Sequence, residues 1–148
     1  MLTLIRTVLI ASTLTFCLSF TSQANDESSA IEKVLMETWN KPDTPLIVSP
    51  IVIVDTWAIA SWNQGEKGGR ALLNQDDKCN WIVYVCGGDT IKDIDTLMNT
   101  GMTANQAKMI SHKINSAESK IPKERRALFS TFDGVLMMDN KQKHIHHH

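Results

Sequence analysis

The sequence has few cysteines, little aromatic content and no large excess of charge of either sign. Three cysteines in 148 residues are too few for the disulfide-dense scaffolds of small secreted domains. Fifteen basic residues stand against 16 acidic ones, and the formal net charge is −1. This balance, without a clustered basic face, argues against a nucleic-acid-binding protein and against electrostatic attachment to acidic lipids.

The signatures of common enzyme and metal sites are also missing. The sequence contains no HExxH motif, paired zinc knuckle, calcium loop or Ser/His/Asp grouping. The glycine-rich segment 64–69 lacks the residue order of a phosphate-binding loop, so we interpret it as a hairpin turn. We expect the protein not to be an enzyme. The remaining enzymatic alternative is a thiol enzyme that uses Cys86, for which His112 is the only candidate base inside the predicted fold.

The N-terminus carries one apolar run, from Val8 to Phe20, which follows Arg6. The run is shorter than the roughly 20 residues of a membrane-spanning helix. Residues 22–24 (Ser-Gln-Ala) give the small-residue pattern read by signal peptidase. We therefore predict a signal peptide over residues 1–24, cleavage before Asn25 and export to the periplasm. The alternative is an uncleaved membrane anchor.

Two cysteines, Cys79 and Cys86, follow the predicted signal peptide. On one extended strand they would lie ~23 Å apart, whereas a disulfide needs Cα atoms within about 7 Å. Either Cys79 lies in a turn that folds back towards Cys86, or the two are separate thiols. We favour separate thiols.

Helix and strand signals alternate in a simple order over residues 25–139. Ser29 and Glu32 form a capping-box pattern that predicts the start of a helix, and Pro42 ends it. Four β-rich stretches joined by short turns then predict an antiparallel four-stranded meander. These stretches are residues 47–54, 56–62, 70–73 and 81–86, and Pro50 indicates an edge or a bulge in the first.

Alternation along the strands predicts which side chains share a face of the sheet. In the second strand, Trp57 and Ile59 fall on one face, opposite a set made up of Ala58, Ala60 and Trp62. In the fourth strand, Trp81, Val83 and Val85 fall opposite Ile82, Tyr84 and Cys86.

The second half of the domain is predicted to be mostly helical. A short helix starts at Asp89 or Thr90, runs through Met98 and closes at Gly101. Thr103 begins a second helix with a capping box, a third follows Pro122, and residues 135–138 form a last short strand. We predict a single α+β domain over residues 25–139, with an order of elements compatible with cystatin-like or NTF2-like architecture.

Residues 140–148 form a polar tail that ends in four histidines, namely His144, His146, His147 and His148. A neutral imidazole is the commonest protein metal ligand and suits copper, nickel and zinc. A flexible tail needs no fold to present such ligands. We interpret these histidines as a native metal-binding tail. The alternatives are an expression-tag remnant and a solvated tail without a role.

Other residues are weaker candidates for a site. Cys86 could add a soft thiolate ligand, although a buried structural thiol is the default for such a position. Met98, Met102 and Met109 could supply thioethers, but methionine more often fills gaps in a core. Arg70 could bind an anion, although a solvated or ion-paired strand residue is the more common role.

Three segments carry a resemblance to a known family. Residues 57–65 (WAIASWNQG), 68–73 (GGRALL) and 81–89 (WIVYVCGGD) are similar to the copper uptake system-associated proteins, which are small exported bacterial proteins. Residues 32–45 and 129–138 are similar as well. Cys86 matches the place where the family's strand ends in Cys before two glycines. Cys79 departs from the family pattern.

The resemblance implies a role in copper handling together with copper-transport components of the cell envelope. We expect a periplasmic accessory protein that binds or buffers copper, with His144, His146, His147, His148 and Cys86 as metal ligands. The alternative is a periplasmic module without a metal role, in which Trp39, Trp57, Trp62 and Trp81 hold a protein partner or a small molecule.

Overall fold

The computed structural model describes residues 20–138. The strands are β1 (Leu46–Val54), β2 (Trp57–Gln64), β3 (Lys67–Gln75), β4 (Trp81–Gly87) and β5 (Val135–Met137). The helices are α1 (Phe20–Trp39), α2 (Ile94–Asn99), α3 (Ala104–Glu118) and α4 (Lys123–Leu128), and a 3₁₀ helix covers Asp89–Lys92. The histidine tail and residues 1–19 of the expected signal peptide lie outside the described residues.

The five strands form one antiparallel sheet in the order β1-β2-β3-β4-β5. The predicted α+β class is confirmed. The first four strands are the predicted meander, and the short C-terminal strand joins the sheet beside β4. The chain therefore returns to the sheet after its helical half.

Each face of the sheet is covered by helix, which gives two apolar cores. On one face, Ile31 and Leu35 of α1 pack with Ala58 and Ala60 of β2. On the other face, α2 and α3 cover a core that includes Ile59. The predicted division of β2 into two faces is confirmed, because Trp57 and Ile59 lie in one core and Ala58, Ala60 and Trp62 lie at the other.

Helix α1 begins earlier than the capping box at Ser29 predicts. It runs unbroken from Phe20 through the predicted cleavage point to Trp39. Residues 20–28 contain no glycine or proline, so nothing in the local sequence stops the helix before Ser29. Among the described residues, no helix is both long enough and apolar enough to cross a membrane.

A β-bulge between β3 and β4 changes the predicted faces of the fourth strand. Leu72 pairs with Val85 and Leu73 pairs with Val83, which leaves Tyr84 as an extra residue in β4. Val85 consequently turns to the α3 side and Cys86 to the α1 side. The prediction that Cys86 lies opposite Trp81 and Val83 is therefore wrong.

Pro50 fits the position that the sequence predicts for it. β1 is an edge strand, and its pairing with β2 shifts register between Val48 and Ile51. The Ser49–Pro50 peptide bond is cis. Proline has no N–H to donate to a ladder, so an edge strand with an irregularity accommodates it.

The glycine-rich segment is only partly a turn. The hairpin turn is Gly65–Glu66, and Gly65 has a φ of 60°, but Gly68 and Gly69 lie inside β3. A Cβ atom on Gly68 would lie 2.6 Å from the carbonyl oxygen of Trp62 and 2.8 Å from that of Leu128. Close approach of other backbone, rather than a turn, requires glycine here.

The helical half follows the sequence signals with one exception. The capping box at Thr103 and Gln106 is present at the start of α3, and α4 follows Pro122. The single helix predicted from Asp89 to Met98 is instead a 3₁₀ helix and then α2. Asp93 separates the two because its side chain accepts from the N–H of Thr96 and so caps α2.

The close packing at Gly68 gives a stability prediction. We expect Gly68→Ala to lower the free energy of unfolding by about 2 kcal/mol, since the new methyl group must displace backbone rather than a mobile side chain. Lys67→Ala, at the exposed neighbouring residue, is the matched control and should change it little. Urea denaturation followed by tryptophan fluorescence measures both, and equal stabilities would contradict the packing argument.

Candidate functional site

A group of polar and charged side chains with a buried centre lies where β3 meets the helical half. We call it the ionic cluster, and it consists of Ser61, Arg70, Asp89, Lys92 and Glu118. Arg70 is 1% exposed and Glu118 is 2% exposed. Full burial of two charged residues is rare unless they are paired, so their partners decide whether the cluster is stable.

Arg70 and Glu118 form a two-pronged ion pair. The Arg70 Nε and Nη2 atoms donate to Glu118 Oε1 and Oε2 at 2.6 and 2.8 Å. The Ser61 hydroxyl donates to the same carboxylate at 2.7 Å, and the Lys92 ammonium donates at 3.1 Å. Four hydrogen bonds therefore compensate the burial of the Glu118 carboxylate.

The Nη1 group of Arg70 binds residues at both the start and the end of the helical half. Its Nη1 atom donates to Asp89 at 3.1 Å and to the carbonyl oxygen of Phe129 at 3.3 Å. The guanidinium also lies 5.7 Å from the centre of the Phe129 ring, a cation–π distance. Among the described residues, no buried side-chain polar atom lacks a partner. Arg70 is thus an ion-paired strand residue, as favoured from the sequence.

The partners of Glu118 and Asp89 hold both residues in their charged forms. Burial by itself would raise the pKa of the Glu118 carboxyl, but hydrogen bonds from Arg70 and Ser61 outweigh it and lower that pKa below its usual range. The hydrogen bond from Ser130 lowers the pKa of Asp89, and the charge of Arg70 adds to the effect. The Asp89 side chain is 68% exposed, so solvent screens its ion pair with Arg70 and reduces what that pair adds to stability.

The ionic cluster forms the floor of an open surface pocket. The pocket has a volume of about 310 Å³, and the α4 residues Lys123 and Arg126 contribute to its wall. Arg70 uses its donors within the protein. The buried pair of Arg70 and Glu118 therefore acts as a structural clamp between β3 and α3.

Cys86 lies beside a second, smaller pocket between α1 and the sheet. The pocket has a volume of about 150 Å³, and its wall is mostly apolar, with Leu35, Trp39, Leu46, Trp62, Gln64, Cys86, Phe132 and Leu136. The rings of Trp62 and Phe132 meet edge to face at 6.0 Å. The β3–β4 bulge is what directs Cys86 to this side of the sheet.

The thiol of Cys86 is held in its neutral form. Burial raises the pKa of this thiol to about 11, and the residue is 5% exposed. A thiol must lose its proton to act as a nucleophile or to bind a metal ion. In residues 20–138, no three His, Cys, Asp or Glu side chains are grouped so as to hold a metal ion.

The other candidate residues are scattered over the domain. Cys79 is exposed in the β3–β4 turn and Cys86 is buried, so the prediction of separate thiols is confirmed. His112 is exposed on α3. Of the three methionines, Met102 is buried in the core, whereas Met98 is 42% and Met109 is 44% exposed.

Sequence reasoning missed Glu118, although a signal for it exists. Ala107, Ile110, Ile114 and Glu118 follow helical spacing, and all four are buried on the inner face of α3. A lone acidic residue on an otherwise apolar stripe predicts a buried partner of opposite charge. The sequence does not show which of its basic residues that partner is.

The described chain ends at the edge of the sheet, next to β4. The backbone N–H of Met138 donates to the carbonyl oxygen of Tyr84 at 3.1 Å, and the four tail histidines follow outside the described residues. Comparison of the chain with protein-family models, with curated proteins and with solved structures finds no match.

The ion pair gives a prediction for the stability of the domain. We expect Glu118→Ala to lower the free energy of unfolding by about 3–5 kcal/mol, because it leaves the buried Arg70 guanidinium without its carboxylate. Chemical denaturation of the full chain measures the loss.

The control for this prediction is a solvent-exposed pair. Lys33 and Glu37 lie 3.7 Å apart on α1 and are both mostly exposed, so Glu37→Ala should cost at most about 0.5 kcal/mol. Since the pKa of Glu118 is lower in the folded state, its contribution is complete at neutral pH and is lost as the pH falls through that pKa. Glu118→Gln should therefore lose less stability in acid than the natural chain. Equal acid sensitivity would contradict the assigned role.

Burial predicts a difference in reactivity between the two described thiols. We expect iodoacetamide to modify Cys79 in the folded protein and to modify Cys86 only after denaturation, because the Cys86 thiol is neutral and enclosed. Peptide mass spectrometry after timed alkylation measures both rates. If Cys86 reacted as fast as Cys79, the thiol-enzyme alternative would regain support.

Proposed function

We propose that this chain is an exported copper-binding accessory protein of a copper-uptake system. The observation that carries the proposal is the presence of four imidazoles in the last five residues, at His144, His146, His147 and His148. Several imidazoles within such a short segment can bind one ion together. Cu(II) heads the affinity order of divalent metals for such ligands.

In this proposal the folded domain and the tail have different roles. Neither the ionic cluster nor the Cys86 pocket offers a ready set of metal ligands. The last residue that the structure describes, Met138, is tied to β4 by a backbone hydrogen bond. We therefore assign copper capture to the tail, and we assign to the domain the task of presenting the tail to a partner.

The copper assignment also rests on the resemblance of residues 57–65, 68–73 and 81–89 to the copper uptake system-associated proteins. Two residues of the matched segments have clear structural roles in this fold. Gly68 is required by close backbone contacts, and Arg70 is the centre of the ionic cluster. On this proposal the partners are copper-transport components of the envelope, and the protein is not an enzyme.

A second candidate function is a binding module without a metal role. Trp57 and Trp81 are buried in the cores, which leaves Trp39 and Trp62 at the pocket beside Cys86. Its volume of about 150 Å³ is below the roughly 300–1,000 Å³ of drug-sized ligand sites. A pocket of this size and lining would accept only a small apolar group, which restricts the ligands that such a module could bind.

Copper titration tests the proposal directly. We expect the full chain to bind Cu(II) at neutral pH, and we expect binding to weaken strongly when all four tail histidines are replaced by alanine. Binding should also weaken at about pH 5, since the ordinary pKa of an imidazole is about 6.5 and its protonated form cannot bind a metal ion. Isothermal titration calorimetry measures all three.

The matched control is His112→Ala, because His112 is the one histidine outside the tail. This variant should bind Cu(II) like the natural chain. Loss of binding in His112→Ala instead of the tail variant would move the site to α3. No copper binding by the natural chain would refute the proposal and leave the binding module as the better account.

A further inference from the structure

The described sheet has two edge strands of very different length. β1 has nine residues and lies at one edge, whereas β5, at the other edge, has three. Apart from Ser49 and Pro50, every residue of β1 is leucine, isoleucine or valine. A long, uncharged edge strand rich in β-branched residues is a template for pairing with another chain. β1 therefore exposes this domain to self-association.

The β1–β2 hairpin defines which backbone groups of β1 face outward. Val54 lies opposite Trp57 across the two-residue turn 55–56, and a hydrogen-bonded pair closes a turn of this length. Hydrogen-bonded and non-hydrogen-bonded pairs alternate along an antiparallel ladder, and the register is unbroken from Ile51 to Val54. The N–H and C=O groups of Ile51 and Ile53 consequently point away from β2, to the outer edge.

Two cationic side chains from the helical half bind carbonyl oxygens of β1. The Lys113 ammonium of α3 donates to the carbonyl oxygen of Ile53 at 3.1 Å. The Arg125 guanidinium of α4 donates to the carbonyl oxygen of Ser49, in the irregular part of the ladder, at 2.8 Å. Pro50 lies between these two positions and has no N–H to offer an added strand. A strand that paired along β1 would therefore have to displace both cations.

The two cations differ in how firmly they are held. The Arg125 Nε atom donates to Asn63 Oδ1 at 2.8 Å, and the guanidinium lies 5.6 Å from the centre of the Phe129 ring. Arg125 thus reaches Ser49 as part of a fixed arrangement. Lys113 is exposed and reaches β1 through its hydrogen bond to Ile53. Replacing Lys113 is therefore the change that opens the edge with the smaller effect on the fold.

We infer that Lys113 and Arg125 cap the edge of β1 and keep it from pairing with β1 of a second copy of this chain. A second copy is the partner that the composition of the strand favours. Because β1 carries no charge, two copies can pair antiparallel about a twofold axis without repulsion between their side chains. The inference is independent of the proposed copper function, since it uses residues of the folded domain alone.

The test removes the caps and measures self-association of the full chain by sedimentation velocity over a range of concentrations. We expect Lys113→Ala to lower the concentration at which dimers form by about tenfold, the factor that a hydrogen bond to a charged group contributes. Adding Arg125→Ala should lower it further. Lys108→Ala and Arg126→Ala are the matched controls, because they remove a cation from the same two helices, and they should leave the natural chain's monomeric mass unchanged.

Two further measurements show whether β1 is the interface. The outward N–H groups of Ile51 and Ile53 should exchange more slowly in the dimer than in the natural chain, because an added strand would protect them. Ile47 is 49% exposed on β1, and a lysine on an edge strand opposes pairing. Ile47→Lys should therefore return the double variant to a monomer. Aggregation of a destabilised fold would instead speed exchange throughout the domain.

Three outcomes would overturn the inference. The first is a double variant that stays monomeric over the whole range of concentrations. The second is a dimer in which Ile51 and Ile53 exchange as fast as in the natural chain, since its interface would lie elsewhere. The third is a natural chain that already dimerises through β1, because the caps would then not prevent pairing. If Arg125→Ala fails to fold, Lys113→Ala alone decides between these outcomes and the expected one.

Discussion

The pairing of Arg70 with Glu118 is the interaction on which the arrangement of this domain depends. The two residues are 48 positions apart in sequence, and their contact joins the centre of the meander to the last turn of α3. The same guanidinium reaches Asp89 and the carbonyl oxygen of Phe129. One buried side chain therefore holds three segments of the helical half against β3. Each charge has its partners, so burial costs less than either charge alone would cost.

Much of the architecture can be predicted from the sequence, because local residue patterns determine it. The alternation in β2 predicts both faces of that strand, and the capping box at Thr103 predicts the first turn of α3. Pro50 marks the edge strand because it lacks an N–H. In each case the determinant is the chemistry of a few adjacent residues, and the rest of the fold agrees with it.

The features that the sequence does not reveal arise from contacts between distant segments. The bulge at Tyr84 moves Cys86 to the α1 side, because pairing with β3 and not the strand's own alternation sets its direction. Gly68 looks like part of a turn, yet it is needed where the backbone of Leu128 approaches β3. The pairing of Glu118 with Arg70 is likewise decided by the tertiary structure and not by local sequence. The candidate site was therefore less predictable than the elements around it.

These contacts also make the ionic cluster and the Cys86 pocket unfavourable places for a metal ion. The carboxylate of Glu118 is already saturated by Arg70, Ser61 and Lys92, and the Cys86 thiol is neutral in an apolar wall. An ion that entered either place would have to displace hydrogen bonds or shed a proton at high cost. On the proposed function, copper binding therefore falls to the tail histidines rather than to either of these two places.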